Sequence, residues 1–175
     1  MKLNKIMMVA VVAFGMSSLA HAAVKDQGNG KITFNGSIID APCSITQESA
    51  EQTIELGQIS KVALKDGGKS SAHAFTIDLE NCEIGTGPDA KNKVSVSFNG
   101  NVGAVQDRLG TGRGASIVIE DAKGPIKLAK PTVLQQLQGG DNALNFSAYL
   151  QGDGASAAVT EGKFETVANF TLAYE

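Results

Sequence analysis

The sequence predicts an all-β protein, an antiparallel sandwich or barrel, from three observations. Short runs of apolar residues spaced two apart recur along the chain from about residue 32 onward. Clusters of Gly, Asn, Asp and Pro separate these runs, as turns do between strands. No segment carries a convincing apolar stripe at helical spacing. Many short strands divided by turns in this way are typical of an antiparallel sandwich or barrel.

The predicted strands follow in chain order. Each is marked by an apolar run: Ile32, Phe34 and Ile38; Ile54 and Leu56; Phe75, Ile77 and Leu79, leading to Cys82; Val94, Val96 and Phe98; ASIVIED; PIKLA; and Leu144, Phe146, Ala148 and Leu150. Predicted turns lie at Asn35-Gly36, Asp66-Gly67-Gly68, Gly85-Thr86-Gly87-Pro88, Asn99-Gly100 and Gly139-Gly140-Asp141-Asn142. The segment 130–138 is predicted to hold a helical turn.

The last run predicts a half-buried strand. One face of its two-residue repeat consists of Phe164, Thr166, Ala168, Phe170, Leu172 and Tyr174. The sequence stops one residue later, at Glu175, so we expect no later segment to cover the outer edge of this strand. An uncovered edge presents a row of unpaired backbone groups to other chains.

The first 22 residues predict a secretory signal. Lys2 and Lys5 precede an apolar run over 6–16, and Ala20-His21-Ala22 ends the segment with a small-x-small pattern. A transmembrane anchor is the alternative, but the apolar run is short for it. Cleavage before Ala23 leaves 153 residues, enough for one domain with a core. It also leaves 13 basic and 18 acidic side chains, and this net charge of −5 argues against nucleic acid as a partner.

Two cysteines, Cys43 and Cys82, lie in the exported part. An even pair in an exported chain favours a disulfide. A two-thiol metal site is the alternative, but it lacks further ligands because His73 is the only histidine beyond the signal.

An enzyme has little support in this sequence. Ser116 would need His73 as its base, and His73 is expected to face solvent at the start of a strand. The carboxylates of Asp78, Glu80 and Glu83 are expected to face solvent as well. We therefore assign no catalytic residue, no metal and no cofactor.

The run GTGRGAS resembles a phosphate cradle at first sight. Gly110, Gly112 and Gly114 could present backbone N–H groups to an anion, and Arg113 adds charge. Such loops open helices, whereas this one leads into SIVIE, which has the pattern of a strand. We therefore predict a turn.

The segment before Cys43 has a periodic face but little means to fold alone. Gly28, Gly30, Ile32, Phe34 and Gly36 share that face. The first dozen exported residues are mostly polar, as in a mobile terminus. A tail that becomes a strand when it covers an open edge is the other interpretation.

Three stretches together resemble the chaperone–usher pilins. They are GKITFNGSIIDAPCSI, FTIDLENC and the terminal GKFETVANFTLAYE, and the likeness extends through GASIVIEDAKG in the middle of the chain. Within the family the sequence is most similar to the major rod subunits of P-type and related fimbriae.

The resemblance implies an incomplete immunoglobulin-like sandwich of six strands that lacks its seventh. The missing strand leaves an apolar groove beside the C-terminal strand. A periplasmic chaperone fills that groove first, and at the outer-membrane usher the N-terminal extension of the next subunit replaces it. This is strand addition to an open edge, of which pilin donor-strand complementation is a known example.

The resemblance also assigns segments and residues. It implies a signal peptide at 1–22, a donor extension at 23–36 and a pilin domain at 37–175. The donor residues are Ile32 and Phe34, which fill the groove, and Gly28 and Gly30 further out, with Gly30 at a position where a small residue eases exchange. Groove and chaperone contacts are assigned to Phe164, Phe170, Leu172, Tyr174 and Glu175. A disulfide between Cys43 and Cys82 would clamp the first two strands together.

The function implied is that of a structural fimbrial subunit at the cell surface that supports adhesion. Its expected partners are copies of itself, a periplasmic chaperone, the usher and tip adaptor or adhesin subunits. A minor adaptor or small receptor-binding pilin is the alternative, and a secreted β-sandwich enzyme is a remote one.

Overall fold

The protein is described from a computed structural model, which covers residues 28–155 and 157–175. The predicted signal at 1–22 and residues 23–27 of the predicted extension lie outside these ranges. The strands are β1 (Ser44–Ile45), β2 (His73–Cys82), β3 (Lys93–Gly100), β4 (Leu109–Gly110), β5 (Ala115–Asp121), β6 (Gly124–Pro125), β7 (Gln135–Gln136), β8 (Gly140–Gly152) and β9 (Ala168–Tyr174). Helix α1 (Gln47–Ala50) and a 3₁₀ turn (Lys65–Gly67) are the helical elements of this part of the chain.

The strands form two antiparallel sheets. One has the order β1-β2-β8-β5-β4, with β6 added beside β5, and the other has the order β7-β3-β9. Inward side chains of both sheets share one core, in which the rings of Phe98 from β3 and Phe146 from β8 lie 5.2 Å apart in an edge-on contact. The all-β sandwich predicted from the sequence is therefore confirmed.

A bulge in β2 brings two core residues three positions apart onto one face. Leu79 and Cys82 are both buried, although simple alternation would point them to opposite sides. The pairing with β8 shifts register between them, and Asn81 takes a positive φ of 54°. Asn tolerates this left-handed conformation better than most residues, so the chain inserts its extra residue there.

Several local predictions were wrong. Asn99-Gly100 is not a turn, because β3 continues through Gly100 in its pairing with β9. The segment 130–138 contains β7 instead of a helical turn. Of PIKLA only Pro125 lies in a strand, and Ile54 and Leu56 lie in none. Helix α1, which begins after the N-cap residue Thr46, was not predicted.

The chain divides into two compact units after Ile38. In the first unit, residues 28–38 have no regular secondary structure. The apolar side chains of Ile32 and Phe34 are 78% and 89% exposed. The second unit, Ile39–Glu175, holds both sheets. No helix within the described ranges is long and apolar enough to cross a membrane.

Candidate functional site

The outer edge of β9 is an open sheet edge in the described part of the chain. On its inner side β9 pairs with β3, from Val94 opposite Tyr174 to Gly100 opposite Ala168. On the other side no strand within the described ranges pairs with it, since β9 ends the order β7-β3-β9. Its backbone groups there are available to a further strand.

The inward face of this edge is only half-covered. All six positions of that face are half-buried: Phe164, Thr166, Ala168, Phe170, Leu172 and Tyr174. By contrast, Val94, Val96 and Phe98 on the neighbouring β3 are at most 3% exposed. Both rows face the same core, so the difference shows that cover is missing beside β9. We call this half-covered face, from Phe164 to Tyr174, the groove face.

The two ends of the groove face contact different parts of the core. Phe164 packs with a small cluster of Leu64, Ala115 and Leu150. Ala168, Phe170, Leu172 and Tyr174 pack against the main core, where the Phe170 ring lies 6.5 Å from that of Phe98. The sequence thus predicted the correct face, although Phe164 lies before the first residue of β9.

Both ends of the groove face are anchored through the backbone. At the C-terminal end, Glu175 exchanges two backbone hydrogen bonds with Lys93, of 2.8 and 2.9 Å. At the other end, the Arg113 guanidinium donates to the carbonyl oxygens of Glu161 and Lys163, at 3.4 and 3.3 Å. The Arg113 contacts hold the residues just before Phe164 in place, and the Lys93 contacts hold the C-terminal end.

The run GTGRGAS forms the predicted turn before a strand, since β5 begins at Ala115. Its Arg113 side chain donates to the backbone carbonyls of Glu161 and Lys163, and the Arg113 carbonyl accepts from Thr160 N at 3.0 Å. Ser116, the serine weighed as a nucleophile, is fully buried and donates to the Asp153 carboxylate at 2.5 Å. Each of these groups thus has a structural partner.

The predicted disulfide is present. Cys43 and Cys82 are joined, and both are buried. The bond links the residue before β1 to the end of β2, and these strands pair at Ser44 with Glu80 and at Ile45 with Leu79. It therefore holds the first two strands together, as the resemblance implied.

Sequence reasoning gave three residues no role at this site. Ile38 continues the alternation of Ile32 and Phe34 and is fully exposed, so the periodic pattern contained the signal for it. Gly100, opposite Ala168, was predicted to be in a turn. Arg113 was assigned to a turn without a contact, because no local pattern reveals a partner 50 residues away.

Burial raises the pKa of Tyr174 above its ordinary value of 10.0. A raised pKa in the folded state means that folding favours the neutral phenol. The contribution of Tyr174 to the stability of the folded state is therefore complete below about pH 10 and is lost as pH rises through the raised pKa. We expect thermal stability to fall more steeply with pH above about pH 10 in the wild type than in Tyr174→Phe. Melting curves of both proteins between neutral and alkaline pH test this, and parallel curves would contradict it.

The family follows from comparison with known sequences. The profile of the family described as "Fimbrial protein" matches residues 32–175. The chain belongs to this family. The Fimbria A protein of Serratia marcescens is 57% identical to this fimbrial protein over 180 aligned residues, which span all of both chains.

Two solved structures resemble this fimbrial protein. A chaperone–usher pilus structure that addresses rod uncoiling has a TM-score of 0.77 at 39% identity, over 88% of this chain and all of that one. The P pilus rod subunit has a TM-score of 0.70 at 38% identity, over 77% of this chain and all of that one. The resemblance to P-type rod pilins and the incomplete immunoglobulin-like fold are therefore confirmed. The protein is a structural fimbrial subunit.

Proposed function

We propose that this subunit polymerises by placing its own residues 28–38 along the open edge of β9 in the next copy. The half-covered groove face, beside an edge without a strand in the described ranges, is the observation that carries this proposal. Residues 1–22 are the signal, and the donor extension begins at Ala23. We extend its end from Gly36 to Ile38, because Ile38 shares the donor face and the first compact unit ends there.

The donor segment suits this task because it exposes apolar side chains that alternate. Burial of Ile32 and of Phe34 in the groove contributes about 1.5–3 kcal/mol each. A row of main-chain hydrogen bonds to β9 adds to this. The contact joins two different surfaces of the subunit, so it does not close on itself and builds a filament.

The open edge also requires a partner before assembly. A periplasmic chaperone covers it with a strand of its own and binds the carboxylate of Glu175 through basic side chains. The outer-membrane usher is the place where the next subunit's extension replaces that strand. The product is the rod of a surface fimbria that supports adhesion, with adaptor or adhesin subunits at its tip, and the subunit itself carries no catalytic site.

The proposal is tested by the state of the exported chain, residues 23–175, alone and with a donor peptide spanning 27–38. The chain alone is expected to melt at low temperature or to self-associate. Refolding with excess peptide should give a monomer that melts at a clearly higher temperature. Size-exclusion chromatography and thermal melting measure both. A stable monomer that ignores the peptide and is unaffected by deletion of 23–38 would refute the proposal.

A further inference from the structure

Asparagine is followed directly by glycine at three places beyond the predicted signal. The pairs are Asn29-Gly30, Asn35-Gly36 and Asn99-Gly100. In such a pair the backbone nitrogen of the glycine reaches the side-chain amide of the asparagine with little hindrance, because glycine has no side chain. The sequence gives all three pairs the same intrinsic reactivity, so their surroundings in the structure decide which of them reacts.

The pair at Asn35 lies in open surroundings. Residues 28–38 have no regular secondary structure, and all of them are exposed. A Cβ atom placed on Gly36 would meet no atom within 4 Å, and the same holds for Gly30. Neither the Asn35 side-chain amide nor the Gly36 N–H has a hydrogen-bond partner within the described ranges. The two groups are therefore free to approach each other.

The pair Asn99-Gly100 lies inside a paired strand. Both residues belong to β3, in which Asn99 pairs with Asn169 and Gly100 pairs with Ala168. A Cβ atom placed on Gly100 would lie 2.7 Å from the carbonyl oxygen of Val167, so neighbouring chain encloses this glycine. Closure of a ring between the two residues needs rotation of the backbone, which the pairing prevents until the strand opens locally.

We propose that Asn35 is a site of spontaneous deamidation and that one product of the reaction destroys the donor strand. The backbone nitrogen of Gly36 attacks Cγ of Asn35. The new bond closes a succinimide ring, and the bond from Cγ to Nδ2 breaks. The proton of the attacking nitrogen leaves with the amide nitrogen as ammonia. Water then opens the ring, and neither an oxidant nor a reductant is needed.

The ring opens in two ways, and the two products differ in the backbone. Addition of water at Cγ gives an ordinary aspartate at position 35. Addition at the backbone carbonyl carbon gives isoaspartate, in which the chain runs through Cβ and Cγ and gains one backbone atom. Side chains on the two sides of that atom no longer alternate in phase. Phe34 and Ile38, which share a face of the intact segment, then cannot both point into the groove.

The effect on the donor rests on the donor exchange proposed above, whereas the reactivity of Asn35 does not. An aspartate at position 35 keeps the length of the backbone and places its carboxylate on the outward face of the bound strand. Isoaspartate is therefore the product that inactivates the donor. A segment that already pairs as a strand in a filament is restrained as Asn99 is. Deamidation thus falls on subunits that have not assembled, and assembly protects Asn35.

Peptide mapping by mass spectrometry measures the reactivity in a folded, unassembled subunit. The exported chain with Ile32→Ser and Phe34→Ser is refolded with a 27–38 peptide that carries Asn29→Ser and Asn35→Ser, and the complex is incubated in mildly alkaline buffer. Asn35 of the chain is expected to react about as fast as in a free wild-type 27–38 peptide. Asn99 should react more slowly, by on the order of tenfold or more. Equal rates at Asn35 and Asn99, or a much slower Asn35 than in the free peptide, would overturn the assignment.

The matched variant is Gly36→Val in the same chain. A side chain at position 36 hinders attack by the backbone nitrogen, so the reaction at Asn35 should slow strongly. The reaction at Asn29, whose glycine is unchanged, should keep its rate. An unchanged rate at Asn35 would overturn the proposed attack by the nitrogen of residue 36.

Three synthetic 27–38 peptides test the effect on the donor. They carry asparagine, aspartate or isoaspartate at position 35, and each is titrated onto the chain with Ile32→Ser and Phe34→Ser. The aspartate peptide should bind about as tightly as the asparagine peptide. The isoaspartate peptide should bind more weakly, by on the order of tenfold or more, because Ile38 is no longer buried together with Phe34.

The outcomes separate the two proposals. Failure of the asparagine peptide to bind would refute donor exchange itself. A chain that needs no donor folds alone, and the rates at Asn35 and Asn99 in that chain then still decide whether Asn35 is the reactive site. Equal binding of the asparagine and isoaspartate peptides would leave donor exchange intact and overturn the effect of the modification.

Discussion

Replacement of both Ile32 and Phe34 by serine is expected to abolish polymerisation while the subunit remains able to accept a donor. The two side chains are 78% and 89% exposed before assembly, so their loss removes little from the folded domain. In the proposed filament each would contribute about 1.5–3 kcal/mol, and together about 3–6 kcal/mol, which is a factor of over a hundred in affinity. Fibre formation by the purified chain, followed by light scattering and electron microscopy, measures the effect.

The matched control alters the other face of the same segment. Thr33→Ser and Asn35→Ser lie between the two apolar residues and point away from the groove in a bound strand. This variant should polymerise like the wild type. A second experiment checks acceptance, in which the Ile32→Ser and Phe34→Ser chain is refolded with wild-type donor peptide and should give a stable monomer. Fibres of normal length from this variant would contradict the proposed role of both side chains.

The sequence predicted the faces of the edge strand because alternation is a local property. The half-buried positions from Phe164 to Tyr174 are those that a two-residue repeat selects. The same pattern indicated Ile32 and Phe34 as one face. The local sequence did not show where β3 ends. Asn99-Gly100 is a strong turn signal, but in the structure these residues pair with Asn169 and Ala168 and continue the strand.

Contacts between distant segments were not predictable for a physical reason. The position of Arg113 against Glu161 and Lys163 depends on how two loops meet. The pairing of Gly100 with Ala168 depends on the register of β3 and β9, which a single strand pattern does not fix. Both features depend on the three-dimensional meeting of distant segments, so the structure was needed to find them.

Removal of the disulfide is expected to have the second large effect. Replacement of both Cys43 and Cys82 by alanine should lower the free energy of unfolding by about 4 kcal/mol, because the bond closes a loop with a sequence separation of 39. Urea unfolding at a fixed, saturating concentration of donor peptide measures it in both proteins. Ser44→Ala, an exposed neighbour in β1, is the control and should change stability by less than about 0.5 kcal/mol.

Chemical reduction measures the same loss of unfolding free energy without replacing the cysteine side chains. Wild-type protein unfolded in urea with a reductant should lose the same free energy, whereas the double alanine variant should not respond to the reductant. Equal stability of the wild type with and without reductant would contradict the prediction.

The disulfide matters beyond stability because it lies next to the donor segment along the chain. In the filament proposed above, the residues up to Ile38 are bound by the next copy, and Cys43 follows shortly after. Tension along the fibre therefore enters the domain close to Cys43. Besides the disulfide, β1 is held to β2 by the pairing of Ser44 and Ile45 and by two flanking backbone hydrogen bonds, from Thr46 to Asp78 and from Glu83 to Pro42. We expect fibres of the double alanine variant to extend irreversibly at lower force than wild-type fibres in single-fibre pulling, and equal extension forces would show that the hydrogen bonds of β1 suffice.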